Sequence, residues 1–138
     1  MLAVKLLDAS AKVPTKSSNL AAGFDLYALD DVVISPWSRA LVTTGISIQI
    51  PEGCYGRIAS RSGMALKGID VQAGVIDRDY TGEIKILLSN STSTQFGVLK
   101  GDRCAQLIIE RLGECKVHVT TELTDTERGC AGFGSTGQ

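Results

Sequence analysis

The chain has 138 residues, of which 43% are apolar and 21% charged, and its formal net charge is −1. That length fits one domain with one sizeable core, and that mixture is the mixture of a globular protein. A charge so close to zero excludes a broadly basic surface of the kind that binds nucleic acid directly, so any anion site must be local.

The start, Met1 to Asp8, is broken by Lys5 and Asp8 and has no secretory apolar stretch; no later run approaches membrane-spanning length. Cys54, Cys104, Cys115 and Cys130 form no CxxC pair, and His118 is the one histidine, so a zinc site is not expected. Idle thiols suit a reducing compartment, and the chain reads as intracellular, cytoplasmic or nuclear (in a host cell if viral).

Short period-two segments separated by Gly, Pro and Ser turns run through the chain. Val4–Leu7 reads as a first strand and Ala11–Leu20 as a loop. Phe24, Leu26 and Ala28 alternate with Gly23, Asp25 and Tyr27, which places Asp25 on the face opposite Phe24 and Leu26. Val32–Ile34 is a strand, and Leu41–Ile50 reads as one long strand with Ile46, Ile48 and Ile50 on one face and Ser47 and Gln49 on the other.

Tyr55–Ala59 leads into Ser60-Arg61-Ser62-Gly63, where a strand ends and one or two helical turns begin, with Ser60 or Ser62 as the cap. A planar cation, a hydroxyl and a glycine at that point suit a phosphate seat. Gly74-Val75-Ile76-Asp77 reads as the outgoing strand of a hairpin, Arg78-Asp79-Tyr80-Thr81-Gly82 as its turn and Glu83–Ser89 as its return. Such a hairpin presents a carboxylate, an aromatic face and bare backbone to one small space, which suits a flat ring and a proton to be moved.

Phe96–Leu99 is a further strand and Arg103–Leu112 a long buried one. Gln106 interrupts its apolar pattern, and a buried amide requires a hydrogen-bond partner. Val117-His118-Val119 reads as a last strand. The tail Gly132-Phe133-Gly134-Ser135-Thr136-Gly137 satisfies GxGxxG, but no βαβ unit surrounds it, so it is not a dinucleotide fingerprint. Glycine, Arg128, Phe133, Ser135 and Thr136 fit a mobile arm that orders over a nucleotide, and the same composition also fits a disordered chain end. The expected fold is all-β, a distorted jelly roll or β-sandwich with one short helix, dividing into a β domain over 1–127 and an arm over 128–138.

Five segments together carry a resemblance. Ala22-Gly23-Phe24-Asp25-Leu26, Gly56 to Gly63, Ala73 to Gly82, Gly101 to Leu107 and Arg128 to Gly137 are similar, in that order, to the five motifs of the homotrimeric all-β deoxyuridine triphosphatase (dUTPase) family. The resemblance implies hydrolysis of dUTP to dUMP and pyrophosphate with Mg²⁺, by water attack on the α-phosphate, at sites on the subunit boundaries of a trimer. Such an activity limits uracil in DNA and supplies dUMP for dTMP synthesis.

On that resemblance Asp77 activates the water. A carboxylate is a weak base at neutral pH, so positioning supplies most of the effect. Tyr80 packs on the deoxyribose and leaves no room for a 2′-hydroxyl, while backbone at Gly74 and Val75 hydrogen-bonds uracil. Arg61, Ser62, Gly63 and Gln106 contact the phosphates, and Asp25 sits by Mg²⁺ through bound waters. In the arm, Arg128 clamps the γ-phosphate, Phe133 covers uracil, and Gly134, Ser135 and Thr136 complete the substrate contacts.

Two positions depart from the family pattern: Ser60 stands where proline is usual and Ala131 where glycine is usual. A positive φ at Ala131 would cost about 1 kcal/mol. Two other readings of the residues stand beside the hydrolase. One is a dCTP deaminase of the same fold, which would need a glutamate such as Glu83 beside the pyrimidine. The other is a trimer that binds dUTP without turnover.

Overall fold

The computed structural model describes residues 1–134. In chain order the elements are β1 (Ala3–Leu6), β2 (Phe24–Tyr27), β3 (Val32–Ile34), β4 (Arg39–Thr43), β5 (Ile46–Gln49) and β6 (Cys54–Ala59), then α1 (Ser62–Leu66), then β7 (Ile69–Gln72), β8 (Val75–Ile76), β9 (Lys85–Asn90), β10 (Phe96–Val98) and β11 (Arg103–Arg111). Two sheets do most of the structural work. One has four strands in the order β2-β11-β6-β8 and the other three in the order β4-β9-β7; β1 pairs with β5, and β10 with β3.

The core lies where period-two patterning sends apolar side chains. From the four-stranded sheet Leu26, Ile58, Ala105 and Leu107 point inward, and Val42, Ile69, Ile86 and Leu88 meet them from the three-stranded sheet, all essentially removed from water. Each buried Leu or Ile contributes roughly 1.5–3 kcal/mol from water exclusion, which sets the sheet registers. The other face of the four-stranded sheet therefore points outward, and Asp25 and Gln106 lie on it, opposite each other in the β2–β11 register.

Leu41–Ile50 is two strands, not one. Gly45 has φ +69 and separates β4 from β5, and a Cβ there would lie 2.9 Å from that of Ala11. The chain thereby leaves the β4-β9-β7 sheet to pair with β1, while Ile46, Ile48 and Ile50 stay in the core as their spacing predicts.

The predicted hairpin after Gly74 is a crossing between sheets. β8 pairs with β6, whereas β9 pairs with β4 and β7, and among the described residues no ladder joins β8 to β9. Ala73 (φ 58) and Gly74 (φ 89) make successive left-handed steps that swing the chain off β7 onto β6.

Val117–Val119 forms no strand. Val117 and Val119 are almost wholly exposed, as is Leu123, and after Leu112 donates its N–H to Gly53 the segment 113–131 makes no hydrogen bond to the body among the described residues. A strand requires a partner, and the described residues provide none here.

On the outward face of β6 and β11, Arg57 Nη2 lies 2.8 Å from Glu110 Oε1, and the Tyr55 hydroxyl donates to Glu110 Oε2. Arg57 first, then Tyr55, hold the Glu110 carboxyl below its ordinary value. A carboxylate favoured in the fold adds stability above the ordinary glutamate range, and that stability is lost as pH falls through the lowered value. Glu110→Gln should therefore flatten the acid limb of the stability–pH curve below about pH 4.5, followed by thermal melts from pH 3 to 7. The four thiols are free. Burial pushes that of Cys104 up to about 12, so it remains a protonated core group.

Candidate active site

Strand order brings the first four sequence segments onto one sheet. Gln106 of β11 stands opposite Asp25 of β2 on one side and Ala59 of β6 on the other. Directly opposed residues share a face, so Asp25, Gln106 and the end of β6 converge outside the sheet. Gln106 Nε2 donates to the Ser60 carbonyl at 3.0 Å, which is the partner its half-buried amide requires. A Cβ on Gly23 would come within 2.8 Å of Gln106 Oε1, so the bare backbone at Gly23 is what admits the amide.

α1 starts at Ser62 with Arg61 in the N-cap position, and neither Ser60 nor Ser62 caps it by a side chain. The Ser60 hydroxyl is used elsewhere: it accepts the Val71 N–H at 2.9 Å and ties the approach to α1 to β7. The Arg61 guanidinium is fixed from two sides. Its Nη1 donates to the Arg103 carbonyl at 3.0 Å, and its Nε lies 3.7 Å from Asp25 Oδ1. Arg103 Nη1 is 3.7 Å from Asp25 Oδ2. Arg61, Asp25, Gln106 and the Ser62-Gly63 start of α1 are thus brought together, and Arg103 joins them. Beside it is a cavity of about 280 Å³ lined by Arg61, Arg103, Met64 and Phe96 among others.

A second cluster sits at the other edge of the sheet. A Cβ on Gly74 would lie 2.4 Å from the Ile58 carbonyl oxygen, and the Gly74 carbonyl accepts the Ile58 N–H at 2.7 Å. The following turn is closed by the Tyr80 N–H donating to the Asp77 carbonyl at 3.0 Å, and the Tyr80 hydroxyl donates to the Glu83 carbonyl at 2.7 Å. Gly82 lets the ring lie across that turn, since a Cβ there would meet Tyr80 Oη at 2.7 Å. Val75, Asp77, Tyr80, Glu83 and Lys85 line a cavity of about 200 Å³, with the Asp77 carboxylate exposed. Glu83 Oε2 accepts the Gly45 N–H at 2.9 Å, which ties this glutamate to the turn before β5.

The two clusters stand apart within one chain. The antiparallel β6–β8 register sets Val75 opposite Arg57 and Ile76 opposite Gly56, so the chain moves away from Ala59 as it runs to Asp77. With strands about 4.8 Å apart and about 3.4 Å per residue, Asp77 is on the order of 15 Å or more from Asp25 and Gln106.

The tail makes a local turn. The Ala131 N–H donates to the Arg128 carbonyl at 3.1 Å, and Arg128 Nε donates to the Ala131 carbonyl at 2.7 Å. Positive φ falls at Gly129, Phe133 and Gly134, not at Ala131, so the alanine carries no left-handed strain here. The Phe133 ring is fully exposed. Ser135 and Thr136 lie outside the described residues.

The dUTPase family model matches residues 9–137. The chain belongs to the dUTPase family. It is 54% identical over 137 residues to the deoxyuridine 5′-triphosphate nucleotidohydrolase of Paramecium bursaria Chlorella virus 1, covering 99% of this chain and 97% of that one. The dUTPase of Staphylococcus bacteriophage 80alpha with dUPNHPP superposes with a TM-score of 0.93 at 29% identity, over 100% of this chain and 99% of that one. A mutant dUTPase from phage phi11 of S. aureus, solved with a structural Mg(II) ion, superposes with a TM-score of 0.83 at 25% identity, covering 91% and 99%. The all-β jelly roll expected from the sequence is thus the dUTPase fold.

Among the described residues no group of three His, Cys, Asp or Glu side chains could cage a metal. Mg²⁺ keeps much of its water and takes one or two carboxylates together with phosphate oxygens. The single Asp25 carboxylate, 15% exposed beside the arginines, fits that shared role and not a closed site. No described helix is long and apolar enough to cross a membrane.

Proposed function

We infer that this protein is a dUTP nucleotidohydrolase whose working site is assembled from more than one copy of the chain. The observation that carries the reading is the register that aligns Asp25, Gln106 and the Ser60-Arg61-Ser62-Gly63 turn on one sheet face, in a chain about half identical to a named dUTP nucleotidohydrolase along its whole length.

Uracil lies against the backbone of Gly74 and Val75, and the Tyr80 ring packs on the deoxyribose. The phosphates lie on Arg61, Ser62, Gly63 and Gln106. Asp77 takes a proton from water as its oxygen bonds to the α-phosphorus. The bridging oxygen to the β-phosphorus leaves with the bond electrons as pyrophosphate, and dUMP remains. Asp25 would hold Mg²⁺ through water beside the substrate phosphates, and the ion would supply positive charge against the triphosphate. The tail residues 128–138 act as an arm, with Arg128 on the γ-phosphate, Phe133 over uracil, and Gly134, Ser135 and Thr136 closing the contacts.

An attacking water must touch both Asp77 and the α-phosphorus, yet the two clusters are too far apart in one chain for that. Uniting Asp77 of one copy with Arg61 and Gln106 of another removes the conflict. The exposed Val117, Val119 and Leu123 would then find cover on a neighbour, which supports an oligomer, and the family resemblance makes it a homotrimer.

Hydrolysis in H₂¹⁸O tests the chemistry: the label should enter dUMP alone, and label in pyrophosphate would move the attack to the β-phosphorus. The sugar gate has its own test. Gly82→Ala should push Tyr80 off its turn and lower the dUTP-over-UTP ratio of kcat/KM at least about tenfold. An unchanged ratio would remove Tyr80 from sugar selection.

A further inference from the structure

Arg103 opens β11 and is not among the residues to which the sequence assigns a contact. We propose that its side chain is a positioning residue for the phosphate seat: it neutralises Asp25 and so leaves the charge of Arg61 available to the substrate. The inference rests on the dUTP-binding reading above.

Asp25 is the only carboxylate in an ion pair with Arg61, at 3.7 Å, among the described residues. Taken alone, that pair is neutral, and a polyphosphate approaching Arg61 would have to compete with Asp25 and would also meet its negative charge. Arg103 pairs with the other carboxylate oxygen of Asp25, also at 3.7 Å, which makes the triad a single carboxylate between two cations. The group then carries a net positive charge when the substrate arrives.

The two cations differ in how they are held. Arg61 Nη1 is anchored to the Arg103 backbone carbonyl at 3.0 Å, so its fork is fixed by main chain. Among the described residues Arg103 has no such anchor, and its side chain is half exposed (51%) against 33% for Arg61. The anchored, less exposed guanidinium suits direct contact with phosphate. The freer one suits holding Asp25. Because the anchor on Arg61 is the Arg103 carbonyl and not its side chain, replacing the side chain leaves that bond in place.

The test measures binding to the assembled, full-length protein in EDTA, which separates the arginines from any metal. The probes are the nonhydrolysable dUPNHPP and dUMP. Arg103→Gln should weaken dUPNHPP about fivefold at low salt and dUMP much less, with the loss shrinking as salt rises. Adding Asp25→Asn should restore dUPNHPP affinity to Arg103→Gln, because a neutral amide no longer captures Arg61. Arg103→Lys should retain most of the affinity.

Undiminished dUPNHPP binding by Arg103→Gln, or a double variant no better than Arg103→Gln, overturns the proposal. Equal loss for dUMP and dUPNHPP also overturns it, since it marks a structural role. A wild-type protein that binds neither probe would instead overturn the dUTP reading on which the proposal rests.

Discussion

Asp77→Asn should lower kcat for dUTP by about 10²- to 10⁴-fold and leave dUTP binding nearly unchanged. Asparagine keeps the shape of the side chain and its place at the start of the turn, where the backbone carbonyl of residue 77 accepts the Tyr80 N–H. That bond is main chain to main chain and survives the substitution, as does the Tyr80 hydroxyl bond to the Glu83 carbonyl. What is lost is an acceptor for the proton of the attacking water. Single-turnover rates beside an equilibrium titration with dUPNHPP separate the two effects. A variant that binds poorly but turns over normally once saturated would make Asp77 a substrate contact and leave the water without its base.

Gly74→Ala should destabilise the fold by about 2–5 kcal/mol and abolish uracil recognition. Two costs coincide there. The backbone sits at φ +89, where an L side chain is strained, and the new Cβ would lie 2.4 Å from the Ile58 carbonyl oxygen. The neighbour is main chain inside the central sheet, so it cannot swing aside as a side chain would. Relief requires breaking the bond from the Ile58 N–H to the Gly74 carbonyl and lifting β8 from β6. Gly53→Ala is the matched control. It has a similar φ of +75 and nothing within 4 Å of the added methyl, so only the backbone cost of about 1 kcal/mol remains. Thermal melts of the two variants should differ by several degrees; equal melting points would show that β8 moves freely against β6.

The parts of this account that were legible in the sequence are those set by local alternation. Asp25 had to face away from Phe24 and Leu26, and it does. Gln106, inside an apolar run, had to have a partner, and the Ser60 carbonyl is that partner. The spacing of Ile46, Ile48 and Ile50 placed all three in the core.

What alternation cannot convey is which strand lies alongside which. Val75-Ile76 and Glu83–Ser89 have the pattern of a hairpin, yet the left-handed steps at Ala73 and Gly74 send β8 to β6 while β9 stays with β4 and β7. Gly45 looked like one residue within a strand because its function, to turn between two sheets, depends on Ala11 far away in sequence. Ser60 had the chemistry of a helix cap, but the Val71 N–H competes for the same hydroxyl and wins. Arg103 escaped notice because its neighbour Asp25 is brought near only by the β2–β11 pairing. Val117 and Val119 alternate like a strand, and alternation does not say that no partner lies among the described residues.

A dUTP-selective hydrolase must leave the near relatives of dUTP intact. Pyrophosphate release should be followed from dUTP with Mg²⁺, with UTP, dTTP and dCTP in parallel. The account predicts rapid release from dUTP and release from the other three lower by orders of magnitude. A folded protein that binds dUTP and leaves it intact would contradict the account, and ammonia release from dCTP would replace it with a deaminase.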